Sequence, residues 1–196
     1  ETAPAADNKN SVHNKFIMGD ATPDFYGGLS NSLIYKGIEL NFLFTFSYGG
    51  QMINNTKAQL MTYSTRDANN LDKDILKLWQ IYGHNTGVPK LKNSSITGSY
   101  DYTASSTTTR FLEDNSYMRL KTLELAYSLP EVLLQKLKIF KQVRIYAIAT
   151  NLLTFTKYSG IDPEVSAFGS SATSSGYDNL TMPQTRAFQF GIKLGF

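Results

Sequence analysis

The last stretch of the chain alternates strictly between apolar residues and polar or small ones. From residue 187 to residue 196, every second side chain is apolar, and the positions between them carry alanine, glutamine, lysine or glycine. Because successive side chains of a strand point to opposite faces, this pattern predicts a strand with one apolar face. The apolar residues are Phe188, Phe190, Ile192, Leu194 and Phe196. About ten residues is also the length that a tilted strand needs to cross a bilayer.

Two classes of protein contain such a strand, and the end of the chain bears on the choice between them. A half-buried strand of a soluble β-sandwich would alternate in the same way. The chain stops on Phe196 without a polar tail, and a terminal aromatic residue resembles the C-terminal signal of bacterial outer-membrane proteins. We therefore expect Phe196 to act as a barrel-assembly signal and favour a transmembrane barrel over a sandwich.

The clearest alternation covers residues 38–48. One face is apolar at six consecutive positions, and the other face is polar apart from Leu43. The six apolar residues are Ile38, Leu40, Phe42, Phe44, Phe46 and Tyr48. Such a face suits lipid, with Tyr48 in an aromatic girdle at the membrane interface. The predicted lipid-facing surface consists of these six residues together with Phe188, Phe190, Ile192 and Leu194 of the last strand.

Alternation predicts three more strands, at residues 25–36, 116–129 and 142–155. A tight turn at Tyr35–Gly37 joins the first of them to its neighbour, since glycine readily adopts positive φ. Strict alternation places Arg119 and Lys121 on the apolar side of the third strand, where long cationic side chains are tolerated only near an interface. The fourth strand has less distinct faces, because apolar residues occur on both.

Two helices are predicted between the strands. Residues 71–82 have helical spacing, with Asn70 as N-cap and Gly83 as the stop, and the rest of residues 49–115 is expected to lack strands. Residues 131–137, after Pro130, suit a two-turn helix. Short and long connections thus alternate along the chain, as they do in outer-membrane barrels.

The alternation of the connections also predicts an orientation. If the last strand ends in the periplasm, the connections at residues 35–37 and 130–141 are periplasmic. The loops at residues 49–115 and 156–184 are then extracellular. Residues 1–24 are polar and turn-rich and are expected to form an irregular extracellular segment, and residues 25–196 are expected to form part of a barrel.

Composition narrows the classes of function. The 196 residues are 41% hydrophobic and 18% charged, with no cysteine and a net charge of +3. Disulfides and cysteine chemistry are therefore excluded, and the small, dispersed charge does not favour nucleic acid as a partner. No apolar run approaches about 18 residues, so a transmembrane helix is not expected. No signal peptide starts at Glu1, so we expect a mature form or a piece of a longer protein.

Several motifs, in order, resemble the SusC/RagA-type TonB-dependent transporters of Bacteroidetes. The run from Ser116 to Pro130 looks like the late-barrel signature of that family. Six further segments are similar to it: residues 19–29, 35–37, 143–146, 150–165, 182–183 and 186–196. The resemblance covers nearly all of the chain after about residue 16.

This resemblance implies a function in nutrient uptake across the outer membrane. It implies a barrel of about 22 strands around a plug, import of oligosaccharides or peptides, a SusD-like surface lipoprotein as lid, and energy from TonB. Strands of about ten residues would alone need about 220 residues for such a barrel. Five strands cannot close a barrel, and open edges are prohibitive in hydrocarbon.

The predicted fold is therefore all-β: the last five or so strands of a transmembrane antiparallel barrel of about 22 strands. The plug, the TonB-contacting part and the other strands would lie elsewhere in the transporter, and outer-membrane lipid would surround the barrel. The alternative is a soluble or surface β-sandwich that binds glycans.

No catalytic constellation is present in the sequence, so neither an enzyme nor a cofactor is expected. Asp162 and Glu164 are weak candidates for calcium ligands, but a loop-shaping turn is the favoured interpretation. Aromatic rings suit sugars, so Tyr100, Tyr102 and Tyr177 are candidates for contact with substrate or lid, although exposed loops often have this composition.

Overall fold

The computed structural model describes residues 17–62, 70–90, 92–94, 99–101, 108–137, 139–168 and 175–196. Within these ranges there are ten strands, in chain order β1 Phe25–Tyr35, β2 Ile38–Tyr48, β3 Gln51–Asn54, β4 Lys92–Ser94, β5 Ser99–Asp101, β6 Leu112–Asp114, β7 Tyr117–Ser128, β8 Gln142–Thr156, β9 Tyr177–Asp178 and β10 Ala187–Gly195. The helices in the same ranges are α1 Asn55–Leu60, α2 Glu131–Leu137 and two 3-10 helices, Lys73–Lys77 and Thr109–Phe111.

The five long strands form one antiparallel sheet in the order β1-β2-β7-β8-β10. Each of the five predicted strands is confirmed to within one residue at either end. Gly37 has a φ of 85° in the turn between β1 and β2, as the tight turn requires. We call the end of the sheet with this turn and with α2 the turn end. The opposite end, where the long connections lie, is the loop end.

One face of this sheet is apolar and open. This outer face carries the residues predicted to face lipid on β2 and β10. The register continues the face across the two strands between them, with Phe42 opposite Leu123, Leu123 opposite Ala149, and Ala149 opposite Phe188. Phe190 is 79% exposed and Ile192 is 65% exposed. A β-sandwich would bury such a face under a second sheet, and nothing in the described ranges does so.

A β-bulge in β7 changes the phase of its alternation. Leu120 pairs with Phe44 and Thr122 pairs with Leu43, so Lys121 is an extra residue without a partner on β2. As a result Arg119 lies opposite Thr45 on the inner, polar face. The prediction that Arg119 shares the apolar side is therefore wrong, because strict alternation does not continue through a bulge.

The two faces of β8 become distinct once its partners are known. Ile145 and Ala147 lie opposite Ile192 and Phe190 on the outer face. Tyr146 lies on the inner face, where its ring covers the backbone of Gly191. A side chain at position 191 would occupy the space of the Tyr146 ring, so this packing requires glycine there. Apolar residues occur on both faces of this strand because Ile148, opposite Gln189, lies on the inner face together with Tyr146.

A second, smaller sheet lies beyond the loop end, in the order β6-β3-β9. Its β3 and β6 fall within residues 49–115, so the prediction that this segment lacks strands is wrong. A small core of Met52, Tyr158 and Val165 packs in this region. A second core joins α1 to the chain before β6 and consists of Ala58, Met61, Val88 and Phe111, with Leu78 packed against it.

The helix predicted at residues 71–82 is wrong in length and type. The structure has a 3-10 helix at Lys73–Lys77, capped by the side chain of Asp72 instead of Asn70. Leu78 leaves the helix with an extended ψ of 142° and forms a bridge with Val88. The helix predicted at residues 131–137 is confirmed as α2. Within the described ranges, no helix has the length and apolarity that crossing a membrane would take.

Candidate functional site

A buried ion-pair cluster on the inner face joins β7 to the connection between β8 and β10. The Arg119 guanidinium lies 2.5 Å from Asp162 Oδ1 and 3.0 Å from Glu164 Oε2. The side chains of Arg119 and Asp162 are only 3% and 4% exposed. Tyr117 donates its hydroxyl to Glu164 Oε1 at 2.7 Å. We call Tyr117, Arg119, Asp162 and Glu164 the Arg119 cluster.

Asp162 also joins two parts of the connection between β8 and β10 through hydrogen bonds to their backbone. Its Oδ1 accepts the backbone N–H of Glu164 at 2.9 Å, which forms a local turn, and its Oδ2 accepts the backbone N–H of Gln184, also at 2.9 Å. Burial alone would raise the pKa of Asp162, but the hydrogen bonds from Arg119 and from these two backbone groups outweigh it and lower the pKa. One carboxylate therefore holds both ends of the segment between residues 162 and 184.

The bulge residue reinforces the same attachment. Lys121 Nζ donates to Gln184 Oε1 at 2.7 Å and lies 3.7 Å from Glu164 Oε2. Asp162 and Glu164 thus point at arginine and lysine side chains, an arrangement that fits the loop-shaping interpretation of these two residues. The described ranges bring together no group of three acidic, histidine or cysteine side chains that could hold a metal ion.

A second buried network holds the small sheet together. Asp178 accepts hydrogen bonds from the Tyr158 hydroxyl at 2.7 Å and from Thr56 Oγ1 at 2.9 Å. Burial, followed by the hydrogen bond to Asp178, raises the pKa of Tyr158. We call these three residues the Asp178 network. It ties α1 and β9 to the chain just after β8, so the two long connections pack against each other beyond the loop end.

A cavity of about 230 Å³ lies between the Arg119 cluster and the Asp178 network. Both buried carboxylates line it, together with apolar side chains from the second long connection. The lining residues are Thr56, Ile161, Asp162, Val165, Asp178, Leu180, Thr181, Met182 and Pro183. Its two carboxylates already accept hydrogen bonds from protein groups, which gives them a structural part in this layer.

A polar cluster occupies the inner face nearer the turn end. Arg144 Nη2 lies 2.7 Å from Glu39 Oε2 and 3.0 Å from Glu124 Oε1. Asn41 Nδ2 donates to both glutamates, at 2.7 Å and 3.2 Å. The alternation at residues 38–48 predicted the polar face on which Glu39 and Asn41 lie. Arg144, the common partner of the two glutamates, did not stand out, because it belongs to the strand with less distinct faces.

The tyrosines predicted to contact substrate or lid fall in different parts of the chain. Tyr177 lies in β9, half-buried, with its ring centroid 5.8 Å from that of Phe168. Tyr100 belongs to β5, and Tyr102 lies outside the described residues. At the turn end, the ring of Phe196 lies 5.3 Å from that of Phe140. The assembly role of Phe196 stays a prediction.

Comparisons with known proteins agree with this geometry. No protein-family model matches the chain. TonB-dependent receptor P3 of Formosa agariphila is 36% identical over 95% of this chain and 18% of its own length. TonB-dependent receptor SusC of Bacteroides thetaiotaomicron is 27% identical over 93% of this chain and 16% of its own length.

A solved structure of the RagAB peptide transporter matches as well, with a TM-score of 0.73 and 32% identity over 92% of this chain and 18% of that one. The chain therefore spans less than a fifth of the length of the proteins that it matches. A sheet with an open apolar outer face and a charged inner face, matched to these proteins, is part of the wall of a transmembrane β-barrel. That barrel is of the SusC/RagA type of TonB-dependent transporter, so the resemblance found in the sequence is confirmed.

Proposed function

We propose that this chain supplies barrel wall and extracellular loops to a TonB-dependent importer of nutrients in the outer membrane. The observation that carries the proposal is the one-sided sheet. Its apolar outer face is open, and its inner face carries the Arg119 cluster and the ion pairs of Arg144 with Glu39 and Glu124. Its relatives are named as TonB-dependent receptors, which are transport proteins and not enzymes. We therefore assign no catalytic step to the chain.

On this proposal the turn end lies in the periplasm and the loop end lies outside the cell. The tight turn at Tyr35–Gly37 and the short α2 connection lie at the turn end, and outer-membrane barrels keep their short connections on the periplasmic side. The layer built from the two long connections then faces the medium. The polar inner face lines the lumen, where charged side chains remain hydrated.

We further propose oligosaccharides or peptides as the cargo and a SusD-like lipoprotein as the lid. One matched structure is described as a peptide transporter, and one relative is named SusC. On this proposal the small sheet beyond the loop end is the surface for such a lid, and its half-buried Tyr177 contacts cargo or lid. Tyr100 and Tyr102 are proposed to contribute in the same way. TonB would act on the larger part of the transporter that this chain does not span.

A growth experiment tests both the class of function and the cargo. The complete transporter that contains this chain is restored to a strain that lacks it, with either oligosaccharides or peptides as the only nutrient. We expect growth on one nutrient class to require the transporter and to be lost with a protonophore. Tyr177→Ala should slow growth at limiting nutrient, whereas Tyr177→Phe, which keeps the ring, should not.

Fractionation of the same cells distinguishes the importer proposal from the β-sandwich alternative. If the protein is recovered in the aqueous fraction without detergent and binds glycans there, the sandwich alternative holds and the importer proposal is wrong. Native mass spectrometry of the detergent-extracted complex tests the lid separately, because a SusD-like lipoprotein should be present at one copy for each barrel.

A further inference from the structure

The outer face contains a groove in the half of the sheet near the turn end. The groove has a volume of about 740 Å³ and is lined mainly by apolar outer-face side chains. Ala147 of β8 lies on its floor, between its direct partners Leu125 on β7 and Phe190 on β10. Because alanine projects only one carbon between two large side chains, the groove follows the line of β8.

The groove begins at a row of residues that marks a membrane interface. The register places Tyr35, Ile38 and Tyr127 side by side across β1, β2 and β7. Both tyrosines are on the outer face and exposed, Tyr35 at 69% and Tyr127 at 40%. Tyrosine is enriched at the level of lipid headgroups. From this row the groove runs towards the middle of the sheet, which is the depth range of an acyl chain.

Positive charge lies immediately beyond this row. Lys36 Nζ lies 5.2 Å from the centroid of the Tyr35 ring, so its ammonium is on the outer side of the sheet. Lys141 precedes β8 directly, and its backbone N–H donates to Gly195 O. Lys36 lies in the turn that leads into β2, and Lys141 lies directly before β8. These two strands are two positions, or about 10 Å, apart in the sheet. The connection at residues 130–141 carries one acidic residue, Glu131, and three lysines.

We propose that an anionic phospholipid of the periplasmic leaflet binds at this groove. One acyl chain lies along β8 over Ala147, and the phosphate is within reach of Lys36 and Lys141. Basic side chains next to the bilayer attract anionic headgroups, and long lysine side chains extend to the interface while their stems stay apolar. This inference rests on the orientation given with the proposed function, but it concerns the lipid side of the barrel and not the path of the cargo.

The test measures lipid retention by the complete transporter. The complex is extracted with detergent, freed of lipid and incubated with dioleoyl phosphatidylglycerol or dioleoyl phosphatidylcholine before native mass spectrometry. We expect one retained phosphatidylglycerol and weaker retention of phosphatidylcholine. Ala147→Phe fills the floor and should lower the retained phosphatidylglycerol by about tenfold or more, since each excluded methylene loses favourable burial. Leu153→Phe adds a ring on the same strand and face outside the groove and should retain it.

The heat-modified mobility of the barrel in gels shows whether Ala147→Phe assembles. If it does not, a second variant with two lysine substitutions tests the site. Lys36→Gln with Lys141→Gln should abolish the preference for phosphatidylglycerol over phosphatidylcholine. Equal retention by the unchanged protein and Ala147→Phe overturns the site. A preference that survives the lysine changes overturns the assigned headgroup contacts. If the unchanged protein retains neither lipid while uptake by the transporter is normal, this inference is wrong and the importer proposal stands.

Discussion

Arg119 carries its charge at a position where its side chain is 3% exposed. Removing one partner of a buried ion pair leaves the other charge without compensation, at a cost of about 3–5 kcal/mol. Arg119→Ala should therefore release the segment between residues 162 and 184 from β7. We expect the segment to be cleaved much faster in limited proteolysis, with cleavage sites mapped by mass spectrometry.

Lys121→Ala is the matched control for Arg119→Ala, because Lys121 reaches the same segment from a more exposed position. Its side chain is 33% exposed and lies 3.7 Å from Glu164. Pairs of this kind contribute about 0–1 kcal/mol. Equal cleavage of the two variants would show that the buried pair does not hold the segment.

Asp162 gives this attachment a dependence on pH. Its pKa in the folded protein lies below the ordinary value of 3.8. Because the folded pKa is the lower one, the carboxylate stabilises the fold above pH 3.8, and this stabilisation is lost as the pH falls through the lowered pKa. Digestion of the segment by pepsin, corrected for the pH dependence of the enzyme itself, should accelerate only below pH 3.8.

Asp162→Asn removes the titrating group and separates this effect from other acid-induced changes. The variant should show faster digestion at every pH and no acceleration specific to the acid range. An acid acceleration of the same size in Asp162→Asn would mean that other groups control the release of the segment.

At the scale of the element, two adjacent residues of β10 lie on the two faces that we propose to meet lipid and lumen. Phe190 is near the middle of the strand on the outer face, and Gln189 is its neighbour on the inner face. A lysine at the bilayer midplane costs about 2–4 kcal/mol on a lipid face. Phe190→Lys should therefore reduce the yield of folded barrel, measured by heat-modified mobility in gels.

Gln189→Lys introduces the same charge one residue away and should assemble like the unchanged protein. The contrast depends only on which face meets lipid, so it tests the assignment of the two faces directly. Impaired assembly of Gln189→Lys together with normal assembly of Phe190→Lys would reverse the faces.

The elements differ in how well local pattern predicts them. The five long strands, of nine to fifteen residues, are confirmed because each contains a run of alternating apolar and polar positions. The alternation is interrupted by the bulge in β7 and is least distinct in β8. The helix predicted at residues 71–82 failed because short isolated helices are marginal. Tertiary contacts drew Leu78 out of it into a bridge with Val88 and into the core around Phe111.

At the scale of the whole molecule, the layer beyond the loop end depends on contacts between distant parts of the chain. Thr56 and Asp178, which are 122 residues apart, are joined by a hydrogen bond, and β3 pairs with both β6 and β9. Strands of two to four residues leave no periodic signal, so the sequence predicted a segment without strands. The Asp178 network was not predicted either, because its three members lie far apart in segments of the sequence that have no periodic pattern.

The sequence by itself determined the positions of the long strands, the apolar face of β2 and β10, the alternation of short and long connections, and the resemblance to SusC/RagA-type transporters. These features are local, since alternation and turn chemistry act over neighbouring residues. Only the tertiary structure decided that the bulge at Lys121 turns Arg119 inward, where it meets Asp162, 43 residues away. A bulge is defined by the pairing with adjacent strands, so the phase of β7, and with it the Arg119 cluster, follows from the register of the sheet and not from the strand alone.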